Sequence, residues 1–214
     1  QTNQTGEVIN KAKHVSIHRA LPEGDTPETV ALTQTSLQNA SISPPGPEVI
    51  LSKPQADNSP QKYFEDVSVG DKLDSVVKGP MTTTHLIRWA AANGNYARIH
   101  WDLPFAQLNQ GLSNVVVNGS LKNQYLGQLL IKFAGEQGWF KRFYVQHRGM
   151  DFPGDTITAS GTVSDKLEVD GYGYIECEVA LTNNRGDQTA SGIGKVILPK
   201  RGQILPLEWD EETW

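Results

Sequence analysis

One histidine in a short polar loop is the residue of this sequence best suited to move a proton. His100 lies within Ala-Asn-Gly-Asn-Tyr-Ala-Arg-Ile-His-Trp-Asp, residues 92–102, five positions after Asn95 and two before Asp102. Beside apolar neighbours an imidazole tends to stay neutral, so one ring nitrogen accepts a proton while a partner fixes the other. A general base needs this arrangement. A packed histidine with satisfied hydrogen bonds is the ordinary alternative, and the surrounding sequence has to decide.

Two helices are expected to position this loop. Thr82, Thr83 and Thr84 offer N-cap hydroxyls to a helix that runs through Asn93 and ends at Gly94. A longer helix follows the loop and ends at Gly135. Its apolar face comprises Leu121, Tyr125, Leu126, Leu129, Leu130 and Phe133. The start of this helix, residues 118–120, offers unpaired backbone N–H groups at the positive end of the helix dipole.

After the long helix the period of the apolar residues changes to two, which is typical of strands. The alternating or apolar segments are residues 143–147, 157–163, 175–181 and 193–198. Turn signals at 170–171 and 183–187 favour hairpins between them. The sequence therefore predicts the α+β class, with one long helix packed on a curved antiparallel sheet.

Composition divides the 214 residues into three parts. Residues 1–62 are rich in Gln, Thr, Ser, Asn and Pro, which predicts an extended, irregular N-terminal extension. Residues 63–200 carry the helix and strand patterns and are expected to form a single domain. Residues 201–214 are interpreted as a C-terminal tail.

Charge and cysteine usage limit the classes of partner. The net charge is −5 with no Lys/Arg-rich run, so nucleic acid is not an expected partner. A single cysteine, Cys177, excludes an intrachain disulfide and a multi-cysteine metal site, and it reads as a core residue. No apolar run reaches the roughly 20 residues that span a bilayer. We expect a cytoplasmic protein that binds neither a metal nor a membrane.

The loop and the start of the long helix resemble the MaoC-like family of enoyl-thioester hydratases and dehydratases. That family has a Gly-Asp pair, a His five residues later, an Asp two beyond it and an Ala further on. At these positions stand Gly94, Asn95, His100, Asp102 and Ala106. The segments YFEDVSVGDKL and FPGDTITASGTV are also similar to the family, so the resemblance spans about residues 63–199. It implies the hot-dog fold, a long central helix wrapped by a curved antiparallel sheet.

The resemblance implies hydration of a trans-2-enoyl thioester, or dehydration of a 3-hydroxyacyl thioester, carried on coenzyme A or a carrier protein. Water adds at C3, C2 gains a proton, and negative charge builds on the thioester oxygen. His100 would be the acid and base, Asn95 would position the water, and the Gly119 N–H would be the oxyanion donor. No cofactor is implied beyond the coenzyme A or phosphopantetheine of the substrate.

Two positions depart from the family pattern. Asn95 stands where the family has its catalytic Asp, and Arg98 replaces the usual proline. An amide has the shape of a carboxylate but cannot take up a proton at neutral pH, so His100 would have to act alone as the base. The resemblance gives Asp102 a structural role, bracing the loop.

Further side chains around the motif are candidates for substrate binding. They are Ser120, Arg98, Trp101 and Phe105. The two aromatic residues could line an acyl pocket, although core packing is their commoner use. Lys122 and Arg148 join Arg98 as candidates for contacts with the phosphates of the acyl carrier, although basic residues are usually only solvated. His147, on an alternating strand, is expected to pack against the helix.

Three functions stay open. The first is the hydratase or dehydratase reaction. In the second, Asn95 marks a non-catalytic hot-dog subunit that pairs with an active partner. The third is thioester hydrolysis, which needs a water aimed at the carbonyl carbon and is disfavoured by the His100 motif. Since hot-dog domains generally pair, the resemblance implies a homodimer or larger homo-oligomer, or a hetero-oligomer with another hot-dog subunit.

Overall fold

The computed structural model describes residues 60–205. In chain order the main elements are β1 (Val76–Lys78), α1 (Thr83–Asn93), α2 (Leu103–Leu108), α3 (Gly119–Ala134), β2 (Trp139–His147), β3 (Ile157–Val169), β4 (Tyr172–Asn183) and β5 (Gln188–Leu198). Short 3-10 helices occur at Phe64–Asp66 and Arg98–His100. Of the predicted extension, residues 1–62, and tail, residues 201–214, only residues 60–62 and 201–205 are described.

The strands of the described region form one antiparallel sheet in the order β1-β3-β4-β5-β2. Val169 pairs with Tyr172 across a two-residue turn in which Asp170 and Gly171 have φ angles of 50° and 81°. Positive φ at both positions matches the right-handed twist of the flanking strands, so the predicted hairpin is confirmed. With α3 packed on this sheet, the predicted α+β hot-dog architecture is confirmed as well.

Helix α3 supplies the centre of the core. Nine of its sixteen residues are buried, including all six of the apolar face predicted from the sequence. The helix lies close to β5 at Gly194, where a Cβ atom would come within 2.3 Å of a Leu130 methyl group. Gly135 ends the helix with a φ angle of 71°, as expected. Burying a large aliphatic side chain contributes about 1.5–3 kcal/mol, so this helix and its sheet hold each other in place.

Helix α1 begins and ends where the sequence predicts. The Thr82 hydroxyl accepts from the His85 backbone N–H, and His85 Nδ1 accepts in return from the Thr82 backbone N–H at 3.1 Å. Leu86 and Ala90 are buried, and Leu86 belongs to the hydrophobic core. Gly94 closes the helix in the left-handed conformation, with a φ angle of 64°, and so delivers the chain directly into the loop that carries His100.

Helix α2 is an element that the sequence patterns did not reveal. Asp102 caps it, and Pro104 lies in its first turn, where a missing backbone N–H costs nothing. Its six residues bury only Ala106, so no apolar periodicity could announce it. Within residues 60–205, no helix has the combined length and apolar character needed to cross a membrane.

Candidate active site

The structure fixes the hydrogen-bonding state of the His100 ring. His100 is half-buried, and its Nδ1 lies 2.9 Å from the backbone carbonyl oxygen of Val116. A carbonyl oxygen only accepts, so a proton is assigned to Nδ1, and a neutral form of this ring carries its lone pair on Nε2. A general base requires this tautomer.

A second bond joins the same two stretches of chain. The Val116 N–H donates to the Ile99 carbonyl at 3.1 Å, next to the side-chain bond of His100. Val115, Val116 and Val117 are all buried, although they belong to no strand. This buried segment runs directly into α3. It therefore ties the histidine loop to the start of the long helix.

The first turn of α3 presents one unused donor. Asn118 is the N-cap, and its Oδ1 accepts from the Ser120 N–H at 2.9 Å and from the Ser120 hydroxyl at 2.6 Å. Among residues 60–205, no group accepts a hydrogen bond from the Gly119 N–H. This N–H lies at the positive end of the helix dipole, so it is suited to stabilise a developing negative charge.

Ser120, a predicted substrate-binding residue, already has several partners. Its hydroxyl oxygen accepts from Trp89 Nε1 at 2.9 Å and from Asn93 Nδ2 at 3.2 Å, besides donating to Asn118. These contacts join the last turns of α1 to the first turn of α3. The structure therefore shows Ser120 as a bridge between two helices that flank the His100 loop.

Asn95 shapes its own turn. Its Oδ1 accepts from the Ala97 N–H at 3.2 Å, directly after the Gly94 cap. Asn and Asp side chains commonly form this turn with the residue two positions on. The Nδ2 group makes no hydrogen bond with any described residue, so Asn95 retains a donor that could hold a water molecule. It carries no group that could take up a proton at neutral pH.

Asp102 accepts hydrogen bonds from two residues, one in the loop and one in the helix that follows it. Its Oδ1 accepts from the Phe105 N–H at 3.1 Å, and its Oδ2 accepts from Arg98 Nε at 2.8 Å. The Phe105 N–H chiefly, and then Arg98, lower the pKa of Asp102 below its usual range. The Arg98 guanidinium also lies 4.5 Å from the centre of the Phe105 ring. Arg98 would have to leave this arrangement to bind a phosphate.

Trp101 lies at the surface of the described residues. It is 41% exposed, and its Nε1 donates to the Tyr96 carbonyl at 3.2 Å. The expectation that Trp101 packs in the core is therefore wrong. A bulky aromatic residue is usually buried in the core, but Trp101 belongs to the loop that connects α1 and α2, and its side chain is exposed there. Phe105 is half-buried beneath Arg98.

Lys122 cannot meet a phosphate, because its side chain is buried. It is 2% exposed, and its ammonium forms an ion pair with the fully buried Asp151, Nζ to Oδ2 2.7 Å. Burial lowers the pKa of Lys122, while the Asp151 carboxylate opposes that shift. The sequence reading missed this pair, since lysine is rarely buried and the two residues are 29 positions apart.

His147 lies against the start of α3. A methyl group on Gly119 would come within 3.4 Å of His147 Nε2, although His147 is an exposed residue. The expected packing against the helix is thus found at the helix terminus. The start of α3 thus brings three residues near one another. His100 bonds to Val116, three residues before Gly119, and the ring of His147 lies beside Gly119. No cluster of three or more His, Cys, Asp or Glu side chains suited to a metal ion occurs in residues 60–205.

Sequence comparison supports a general hydration or dehydration reaction on an acyl thioester. Residues 50–146 match the family model described as hydroxyacyl-thioester dehydratase type 2, a family of the lyase type. The matched segment contains helices α1 to α3, the His100 loop and most of β2. No curated protein sequence matches the chain.

Solved structures share the fold at low sequence identity. The R-hydratase PhaJ1 of Pseudomonas aeruginosa is 18% identical, with a TM-score of 0.58, 70% of this chain covered and 92% of that chain. A MaoC-like dehydratase of Rhodospirillum rubrum is 18% identical, with a TM-score of 0.58 and coverage of 68% and 99%. A chain of the ChsH1-ChsH2 complex of Mycobacterium tuberculosis is 21% identical, with a TM-score of 0.54 and coverage of 61% and 98%.

Proposed function

We propose that this chain, a hot-dog protein that resembles the MaoC-like hydratases and dehydratases, hydrates trans-2-enoyl thioesters or, in reverse, dehydrates 3-hydroxyacyl thioesters. One observation carries the proposal. His100 holds a proton on Nδ1 toward Val116, so Nε2 is the basic nitrogen, and the same buried segment leads to the Gly119 N–H, from which no described residue accepts. A base and an oxyanion donor are thus linked through three residues of backbone.

In the forward direction, His100 Nε2 takes a proton from water as the oxygen forms a bond to C3. The electrons of the C2–C3 double bond move toward the thioester, whose oxygen becomes negative. The Gly119 N–H and the helix dipole stabilise that oxygen. The imidazolium of His100 then returns a proton to C2, so the ring ends neutral, and the product is the 3-hydroxyacyl thioester. The reverse sequence removes water.

Asn95 would position the water in this scheme. Its Oδ1 is used by the Ala97 N–H, so its Nδ2 is the group left to donate to the water oxygen. Such a bond occupies one lone pair of the water oxygen and leaves the other for attack on C3. The amide contributes orientation only, and the whole proton transfer rests on His100.

The substrate would be an acyl group on coenzyme A or on the phosphopantetheine of a carrier protein, with no further cofactor. The neighbouring side chains Trp101, Phe105, Arg98 and Ser120 are the proposed contacts for it. We propose that the chain acts as a homodimer or larger homo-oligomer, or beside a second hot-dog subunit. The ChsH1-ChsH2 structure is a complex of two different chains, which supports considering the second arrangement.

The test is hydration of crotonyl-CoA and of a longer trans-2-enoyl-CoA, followed by loss of the conjugated thioester absorbance. Wild-type turnover that His100→Ala lowers by roughly 100- to 10,000-fold, the usual contribution of a general base, would support the proposal. Release of free thiol from saturated acyl thioesters would indicate hydrolysis and would contradict it.

A non-catalytic subunit is the second candidate, and it is favoured by the amide of Asn95, which cannot take up a proton at neutral pH. An Oδ1 that accepts from the Ala97 N–H serves local structure as well in an inactive chain as in an active one. In this case the wild type alone would be inert and would gain activity when mixed with a hot-dog chain that has Asp at the matching position. Asn95→Asp separates the candidates further, because a carboxylate can accept the same backbone bond and also take up a proton. An inert wild type made active by this change would indicate a chain that has lost its own base.

A further inference from the structure

We propose that the buried ion pair of Lys122 and Asp151 is a positioning device that aims the Gly119 N–H at the thioester oxygen. The inference rests on the proposed function, since it assigns these two residues a role in the same site. Neither residue would touch the substrate. Both would act through the backbone on either side of Gly119.

The ion pair is buried on all sides. Lys122 Nζ lies 2.7 Å from Asp151 Oδ2 and donates to the backbone carbonyls of Gly149 and Thr189 at 3.0 Å and 3.2 Å. The ammonium thus has three oxygen neighbours, two carbonyls that accept hydrogen bonds from it and one carboxylate that forms the ion pair. Because Lys122 belongs to the first turn of α3, its side chain fixes the rotation of that turn about the helix axis.

Asp151 also holds the chain before the helix. Its backbone carbonyl accepts from the Val117 N–H at 2.8 Å. One residue therefore binds the chain two positions before Gly119 through its carbonyl, and three positions after it through its carboxylate. Gly119 lies between these two fixed points, without a side chain of its own to anchor it.

The ion pair of Lys122 and Asp151 is itself hydrogen-bonded to residues at the ends of the sheet strands. Asn183 Nδ2 donates to Asp151 Oδ1 at 3.1 Å. The Thr189 carbonyl that accepts from Lys122 also accepts from the backbone N–H groups of Arg148 and Gly149. The ammonium thereby joins α3 to the ends of β2 and β4 and to the beginning of β5. The last residue of β2 is His147, whose ring lies against Gly119.

Stability alone does not explain such a pair. Removing two charges from water costs several kcal/mol per ion, and an apolar pair of similar volume often stabilises a fold as well or better. An apolar pair, however, has no preferred direction, whereas an ammonium held by two carbonyl acceptors and a carboxylate favours one orientation of the helix turn. Direction matters at Gly119, since displacing a reacting group by about 1 Å can cost roughly 100-fold in rate.

The informative variant is the double substitution Lys122→Met with Asp151→Leu, because it removes both charges together and keeps the Asp151 backbone carbonyl. Lys122→Met alone would leave a buried, unpaired carboxylate, and the cost of that charge would destabilise the fold whether or not the pair has a role in positioning. We expect the double variant to melt within a few degrees of the wild type. Its kcat for enoyl-CoA hydration should fall roughly 10- to 100-fold with little change in KM, as for an interaction made in the transition state.

A matched control is available on the sheet. Lys195 and Glu176 form a partly exposed ion pair at 3.4 Å between β5 and β4. Replacing both with glutamine should leave kcat and KM unchanged. If the Lys122/Asp151 double variant retains the wild-type kcat, the positioning role is wrong. If it does not fold, Lys122→Met with Asp151→Asn takes its place, because it also removes both charges and keeps the volume of the Asp151 side chain, and a wild-type kcat in that variant likewise contradicts the proposal.

A measurement without substrate separates this inference from the proposed function. In protein labelled with 15N-glycine, the Gly119 amide should give one resonance in the wild type and a shifted or multiple resonance in the double variant. If the resonance changes in this way but the wild type has no hydratase activity, the positioning role of the ion pair is supported and the proposed reaction is contradicted. A Gly119 resonance that is the same in the wild type and the double variant would contradict the positioning role, whatever the activity.

Discussion

The Nδ1–H of His100 donates to the backbone carbonyl of Val116 at 2.9 Å, and this bond joins the proposed base to the segment that begins the long helix. Val116 precedes Gly119 by three residues, so the base and the oxyanion donor cannot move independently. The same bond selects the tautomer with a basic Nε2. The hydrogen bond thereby holds the His100 loop and the start of α3 together in the proposed active site.

The His100 bond can be separated from the His100 base. In His100→Asn the side-chain amide can still donate to Val116, but it cannot take up a proton, so we expect a melting temperature near that of the wild type and a kcat lower by roughly 100- to 10,000-fold. His100→Ala should lose the activity and also about 0.5–1.5 kcal/mol of stability, the usual net value of a hydrogen bond. Steady-state kinetics and urea unfolding measure both effects. Full activity in His100→Asn would show that the base lies elsewhere.

Asp102 should make stability depend on pH in the acid range. The Phe105 N–H and Arg98 lower the pKa of this carboxyl in the folded chain, so its contribution is fully present above the unfolded pKa of about 3.9. The contribution is lost as the pH falls through the lower folded pKa. Asp102→Asn keeps an N-cap but has no charge to titrate.

Urea unfolding between about pH 6 and pH 2, around the unfolded carboxyl pKa, should therefore show the stability difference between wild type and Asp102→Asn shrinking toward low pH. Because Arg98 is 57% exposed, added salt should reduce the difference at neutral pH. A difference that is constant over this range would contradict the assignment of the shift to this loop.

Cys177 should be inert in the folded protein. The side chain is fully buried, and burial raises the pKa of its thiol to about 12. At pH 8 only about one thiol in ten thousand would be ionised, and the thiolate is the reactive form. A thiol reagent should label the native chain slowly and label one equivalent in urea, since the sequence contains a single cysteine. Rapid labelling without denaturant would indicate that the core of the sheet opens readily.

The contact between α3 and β5 leaves no room for a methyl group. Gly194→Ala should destabilise the protein by about 1–3 kcal/mol, because its Cβ would overlap the buried Leu130 side chain. Adding Leu130→Ala removes the overlapping group, so the double variant should lose less stability than the sum of the two single losses. The half-exposed neighbour Ile193 offers a control, since Ile193→Val should change stability by no more than about 0.5 kcal/mol. Strict additivity of the two core changes would argue against the close approach.

The repeating elements of the fold could be predicted from the sequence alone. The apolar residues from Leu121 to Phe133 recur at helical spacing, and a glycine at position 135 ends the helix. Alternation predicted the strands, and Asp170-Gly171 predicted the hairpin. Each of these patterns records how one element buries its own face, which depends only on nearby residues. His100 was also found in the sequence, because its neighbours resemble a known motif.

The partners of the site residues were decided by the tertiary structure. Lys122 was expected at the surface and is buried against Asp151, whereas Trp101 was expected in the core and is exposed. The hydrogen bond from His100 to Val116 and the contact of His147 with Gly119 likewise join separate elements. Local periodicity reports which face of an element is apolar, but two elements meet in a register and at a distance set by the packing of the whole core. For that reason the sequence determined the elements and the candidate base, and only the folded chain determined what holds them together.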